Sequence, residues 1–191
     1  MNLTLPIRNK TQVQELAALF LECGEIRNHV LIVLSVNTAL RVCDLLCLTW
    51  DDVYDFENCL FHESISVIEK KTGKSKVFLL NSLVIAALND YLPHAIPGGF
   101  LFTSRKGGNK AISRQQAYRI IRQGAETLGF ANRVSCHSLR KTFGYLAWNA
   151  NVSPVVIMEI YNHSSLTVTK RYLGVVQDDL DDCYRKVGGM M

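Results

Sequence analysis

Apolar and polar positions alternate with a helical period along most of this chain. Val13, Leu16, Ala17, Leu19 and Phe20 recur at intervals of three and four, behind a Thr11/Gln14 capping-box pattern. A first helix is therefore expected from about residue 12 to Gly24. A second is predicted over 27–37. A third is predicted over 42–49, with Leu45, Leu46 and Leu48 facing a core. The stretch 53–80 changes character: Ile65, Val67, Val77 and Phe78 fall in short runs split by Thr72-Gly73, which predicts antiparallel strands and a hairpin. Helical spacing returns over 82–92 and is broken by 93–99. Ser113 and Gln116 then open a helix running to about Leu128. Leu139, Phe143, Leu146, Ala147 and Ala150 mark the buried face of the next one. Ser153-Pro154 starts another, expected to stop at Tyr161, with Asn162 in the left-handed cap that glycine usually supplies. The fold class is mainly α with a small antiparallel β-sheet (α+β).

Composition narrows the class. A chain of 191 residues, 48% hydrophobic and 20% charged, fits one soluble globular domain. The apolar run 30–34 is far too short for a bilayer. Pro6, Arg8 and Lys10 stand where a signal peptide needs apolar residues, so a cytoplasmic location is expected, with no membrane partner. The six cysteines contain no Cys-x-x-Cys pair, and Cys43 and Cys47, one helical turn apart among leucines, read as small buried thiols. His29, His62 and His94 belong to no pattern and read as structural or exposed. Trp50 and Trp148 read as core.

The net charge of +4 is modest but unevenly distributed. Arg105, Lys106, Lys110, Arg114, Arg119 and Arg122 occur with no acidic residue between them, whereas four aspartates crowd 178–182. Such a one-sign stretch suits a polyanion, because neutralising phosphates releases counterions. A solvated helix face is the plainer reading of the charge alone. The chemistry below tips the balance to double-stranded DNA, and Lys70 and Lys74 join the six as candidate DNA contacts.

Five polar residues carry that chemistry. His137 and Arg140 in HSLRKTF lie three apart, on one helix face, suited to gripping an oxyanion. His163 precedes Tyr172 by a turn and a short helix in NHSSLTVTKRY. Arg41 heads a helix in TALRVCDLLCLTW. Singly each has a dull explanation: a packed tyrosine, an Arg41–Asp44 pair, satisfied histidines. In combination they resemble the tyrosine recombinase (phage integrase) family over residues 10–175. Ala39, Leu40, Arg41 and Asp44 match its arginine stretch, and His137 and Arg140 match its His-x-x-Arg pair. His163 and Tyr172 match its last segment. Lys71, just before Thr72-Gly73 in VIEKKTGKSKVFLL, matches its hairpin lysine, with Lys70, Lys74 and Lys76 close by.

That resemblance implies a catalytic-domain fold and a reaction. Tyr172 would attack the scissile phosphate to give a 3′-phosphotyrosyl link and a free 5′-hydroxyl, conserving the bond for a new strand. Arg41 and Arg140 would clamp the non-bridging oxygens. His163 would donate to the phosphate, His137 would assist proton transfer at the tyrosine, and Lys71 would protonate the leaving oxygen. Asp44 would orient Arg41 or its neighbours. Neither a metal nor a cofactor is called for. The resemblance further implies a homotetramer on synapsed DNA sites, a monomer when free, and an exchanged helix over 175–187 within a tail of 175–191. The chain is expected to be a single catalytic domain without the family's N-terminal clamp, either an integrase fragment or a minimal fimbrial-switch-type invertase. The latter is similar in the segment SRKGGNKAISRQQAYRII. A type IB topoisomerase and an inactive DNA-binding regulator are the alternatives.

Overall fold

The computed structural model describes residues 4–130, 133–174, 181, 184–185 and 187–189. The expected exchanged segment at 175–191 lies largely outside the described residues. Helix α1 (Lys10–Glu22) starts two residues earlier than its capping pattern predicts, because the Asn9 side chain accepts from Thr11 N at 2.8 Å. Helix α2 (Ile26–Asn37) buries Val30, Leu31, Ile32, Leu34 and Val36, so it sits at the centre of the molecule. Helix α3 (Val42–Leu45) is a single turn, shorter than the predicted 42–49. The Asp52 carboxylate accepts from Thr49 N (2.7 Å) and Oγ1 (2.8 Å), and Thr49 bridges antiparallel to Phe100 instead of continuing the helix.

Two small antiparallel sheets follow. One pairs β1 (Tyr54–Asp55) with β2 (Leu60–Phe61). The other is the predicted hairpin of β3 (Ser64–Ile68) and β4 (Ser75–Leu79). Its register sets Val67 opposite Lys76 and Ile65 opposite Phe78. Ile65 and Lys76 face inward and are buried, whereas Val77 and Leu79 are exposed. Helix α4 (Ser82–Tyr91) is capped by Asn81 and runs into a 3₁₀ turn at Leu92–His94. Helix α5 (Arg114–Thr127), capped by Ser113 as expected, packs Ala117, Ile120, Ile121, Gly124 and Ala125 inward.

Helix α6 (Cys136–Asn149) opens with a reciprocal box between Ser135 and Ser138. Helix α7 (Pro154–Ile160) starts at the predicted Ser153-Pro154 signal, and Asn162 after it adopts the left-handed conformation at φ 55°. Helix α8 (Leu166–Leu173) is capped by Ser165 and ends on Gly174. One large core joins α1, α2, α4 and α5. A smaller one of Ala39, Ile157, Tyr161 and Leu173 underlies α6, α7 and α8. Trp50 is buried in the first, and Trp148 packs at the edge of the second. Among the described residues no helix is long and apolar enough to cross a membrane.

Candidate active site

The junction of α2 and α3 presents Arg41. Ala39, fully buried, sits at φ 52°, a conformation that costs a non-glycine residue roughly 1–2 kcal/mol. Two cations hold it there. Arg140 Nη1 donates to the Ala39 carbonyl, and Lys76 Nζ donates to the same carbonyl and to that of Thr38, each at 3.2 Å. Lys76 reaches this point because the hairpin register turns it inward, where burial, aided by the Arg140 charge, pushes its pKa down to about 8.

Arg140 is buried on α6, and its Nε donates to the Tyr172 hydroxyl at 2.8 Å. Its guanidinium lies over the Tyr161 ring, 4.9 Å from the centroid. Tyr161 in turn donates to the Arg140 backbone carbonyl at 2.6 Å. That contact needs Gly144: a Cβ there would fall 2.6 Å from the Tyr161 hydroxyl and 2.7 Å from Leu173 Cδ2. So glycine in α6 lets α7 and α8 close onto it. This seats Tyr172 between two imidazoles, its ring 5.0 Å from that of His137 and 4.8 Å from that of His163.

Electrostatics set the protonation of the group. Burial raises the Tyr172 phenol and Arg140 only partly opposes it, so the hydroxyl is neutral in the free chain. Burial together with Arg140 and Arg41 pushes His163 down to about 4. Partial burial, then Lys141 and Arg140, takes His137 to about 4 although it is open to solvent on one side. Both imidazoles are therefore neutral at pH 7 and able to accept a proton. His163 Nδ1 lies 3.1 Å from the buried Thr169 hydroxyl. That hydroxyl has one proton, which can go to Ser165 O or to Nδ1. Only the second choice leaves Nε2–H free to donate.

Arg41 completes the cluster from the other side, paired with Glu69 at 2.5 Å between Nη1 and Oε1. Glu69 is fully buried at the end of β3. Its carboxylate also accepts from Thr72 Oγ1 (2.8 Å) and Asn162 Nδ2 (3.4 Å). Burial raises this carboxyl, but the Thr72 hydroxyl and Arg41 outweigh it, so the net pKa lies below the ordinary value. Asp44, buried one turn after Arg41, accepts from Lys70 N at 3.0 Å and thereby ties α3 to the hairpin.

Five of the predicted residues, Arg41, His137, Arg140, His163 and Tyr172, thus surround one small volume. Lys71 lies outside it, exposed in the turn at the hairpin tip with Lys70 and Lys74; the lysine that the hairpin turns inward is Lys76. Of the basic stretch, Arg105, Lys106, Lys110, Arg114, Arg119 and Arg122 are all exposed. Arg114, at the start of α5, acts on His137, while Arg122 pairs with Glu126 at 2.6 Å. Arg105 lies elsewhere, beside Arg27, Tyr91 and His94 in a separate hollow of about 290 Å³. Glu69, Lys141, Tyr161 and Thr169 escaped the sequence reading as site residues, and Lys76 entered it only as a neighbour of Lys71 on the hairpin. Glu69 left one usable trace, as the lone acid in a lysine-rich hairpin.

Comparison with known proteins agrees with this fold. The model of the phage integrase family matches residues 8–178. The chain is 33% identical over 190 residues to a probable integrase/recombinase, YoeC, of Bacillus subtilis (strain 168), covering 100% of both. It is 27% identical to tyrosine recombinase XerD of Corynebacterium glutamicum, with 84% of this chain matching 52% of that protein. It is 31% identical to XerC of Neisseria meningitidis serogroup B, with 83% of this chain matching 51%. The chain therefore spans about half the length of the Xer relatives. Among solved structures, XerA recombinase superposes with a TM-score of 0.76 at 23% identity, over 97% of this chain and 66% of that one. A lambda integrase dimer bound to a COC′ core site gives 0.69 at 18% identity, over 91% and 49%. With an α+β catalytic-domain fold and a family match over nearly the whole chain, this protein belongs to the phage integrase family, the tyrosine recombinases.

Proposed function

We propose that this chain is a site-specific DNA recombinase that cuts and rejoins duplex DNA through Tyr172. The observation that carries the reading is the Arg140 Nε bond to the Tyr172 hydroxyl, with two neutral imidazoles flanking the same ring. When a scissile phosphate enters, Arg140 and Arg41 turn their planar forks to the non-bridging oxygens, where charge accumulates in the transition state. The phenol proton passes to a neighbouring imidazole, with His137 as acceptor, while His163, held by Thr169, donates to the phosphate. The Tyr172 oxygen forms the new bond to phosphorus, and the bond to the 5′-oxygen breaks. That oxygen takes its proton from Lys71 once the hairpin tip has folded over the DNA. The second strand's 5′-hydroxyl reverses these steps.

The exposed basic side chains of 105–122, with Lys70 and Lys74, supply phosphate contacts that fix register and leave the target sequence to other side chains. In this reading the chain acts in the cytoplasm as one catalytic domain, monomeric when free and tetrameric on two paired sites, with 175–191 exchanged between subunits. A nicked suicide substrate tests the reading. Wild type is expected to become trapped as a covalent adduct that Tyr172→Phe cannot form; reversible complexes alone from wild type would overturn it. Recombination between paired sites separates this activity from supercoil relaxation by a monomer.

A further inference from the structure

We propose that Glu69 is a built-in stand-in for the scissile phosphate, occupying the Arg41 side of the anion pocket until DNA displaces it. This rests on the recombinase reading of the site and concerns how that site is held before DNA arrives. The Glu69 carboxylate sits where an incoming phosphate would be favoured, against a guanidinium at 2.5 Å, the Asn162 amide and the field of Arg140, and the Thr72 hydroxyl of its own turn holds it there. An anion is favoured there in the free chain, with Asp44 adding a second, weaker one toward Lys76. Arg41, Arg140 and Lys76 converge on the site, and without a carboxylate among them their charges would repel at close range.

Two features mark the contact as replaceable. Arg41 Nη1 and Glu69 Oε1 are close but misaligned, and neither forms a directed hydrogen bond, whereas a phosphate offers two oxygens to the planar fork. The carboxylate also belongs to the hairpin's own turn. The Glu69 carbonyl accepts from Thr72 N (3.2 Å) and Gly73 N (2.8 Å), and residues 70–74 are exposed. Moving this tip withdraws Glu69 once the Lys70 N bond to Asp44 gives way. Because Lys71 lies on the same turn, exit of the carboxylate and entry of the lysine become one motion. DNA then gates the assembly of its own active site. The opposing view makes Glu69 a permanent positioning residue that keeps Arg41 oriented throughout the reaction.

The two views predict opposite responses to Glu69→Gln, a near-isosteric change that removes the charge. Binding of inorganic phosphate to the DNA-free full chain is measured by calorimetry in a Tyr172→Phe background, so that this arm is independent of strand cleavage. Adduct formation on saturating suicide DNA is measured with Tyr172 intact. If Glu69 is a stand-in, Glu69→Gln binds phosphate at least tenfold more tightly, Arg41→Ala abolishes the gain, and cleavage is as fast as wild type or faster. Thr72→Val, an exposed change that removes one donor to the carboxylate, should shift phosphate affinity in the same direction by a smaller factor and serves if Glu69→Gln fails to fold. Unchanged or weaker phosphate binding in both variants, or slower cleavage at saturating DNA in Glu69→Gln, overturns the proposal. Failure of cleavage in wild type would instead overturn the recombinase reading and leave the phosphate comparison standing.

Discussion

Replacing Lys76 with methionine probes the turn that presents Arg41. The buried ammonium donates to the carbonyls of Thr38 and Ala39, and its pKa falls from 10.5 to about 8. Between those two values the unfolded chain holds a proton that the folded chain has released. Wild-type stability therefore rises with pH through the window from 8 to 10.5, and the penalty for the charged form is present in full below 8. At 1.36 kcal/mol for each factor of ten, the rise amounts to about 3 kcal/mol. For a chain of this size that corresponds to a shift in Tm on the order of 6–12 °C. Lys76→Met cannot titrate, so the difference between the two proteins isolates this group from the tyrosines that ionise over the same range. Urea unfolding of both at pH 7.5, 9 and 10.5 should show wild type gaining on the variant by about 3 kcal/mol. Parallel curves would refute the reasoning and place the ammonium in solvent. Because Met leaves the Ala39 turn to Arg140 alone, adduct formation should also slow in the variant.

Other outcomes follow from the same geometry. The His163 ring is held below its ordinary value, so its share of stability is complete above pH 6.5 and is lost as pH falls toward 4; NMR should find its midpoint near 4 in free protein, and a midpoint near 6.5 would contradict the burial argument. Gly144→Ala forces a methyl against Tyr161 and Leu173, and overpacking of about 1–3 kcal/mol should exceed the roughly 1 kcal/mol gained in helix propensity. Thermal unfolding should therefore show a lower Tm, and an equal or higher one would sink this account of α6 and α8. DNA affinity should fall steeply with salt, and Arg114→Ala should lower the slope of log K against log salt by about 0.9. A flat salt response would remove the basic face from DNA binding.

Much of this was legible because local signals agreed with the fold. Ser113, Ser153-Pro154 and Asn162 each satisfy a backbone need at a helix end, which is a short-range matter written in adjacent residues. The five site residues were found by resemblance, not by periodicity. Where distant groups compete, the sequence was silent. Beyond the one turn of α3, Leu48, Thr49 and Trp50 pair with the backbone of residues 99–101, partners far along the chain that propensity does not reveal. Val77 and Leu79 look like core residues, yet the register exposes them and buries Lys76, whose ammonium finds acceptors in the Thr38 and Ala39 carbonyls. Glu69 was hidden for a similar reason, because its role depends on Arg41, which lies far away along the chain.

The central claim is that groups far apart in sequence meet around one phosphate that the Tyr172 hydroxyl attacks. Mass spectrometry of trypsin-digested adducts from suicide DNA tests it most directly. The account predicts a nucleotide linked through phosphorus to Tyr172, with the yield collapsing in both Arg41→Lys and Arg140→Lys while those variants remain folded. Linkage to another residue, or full yield from either lysine variant, would contradict it.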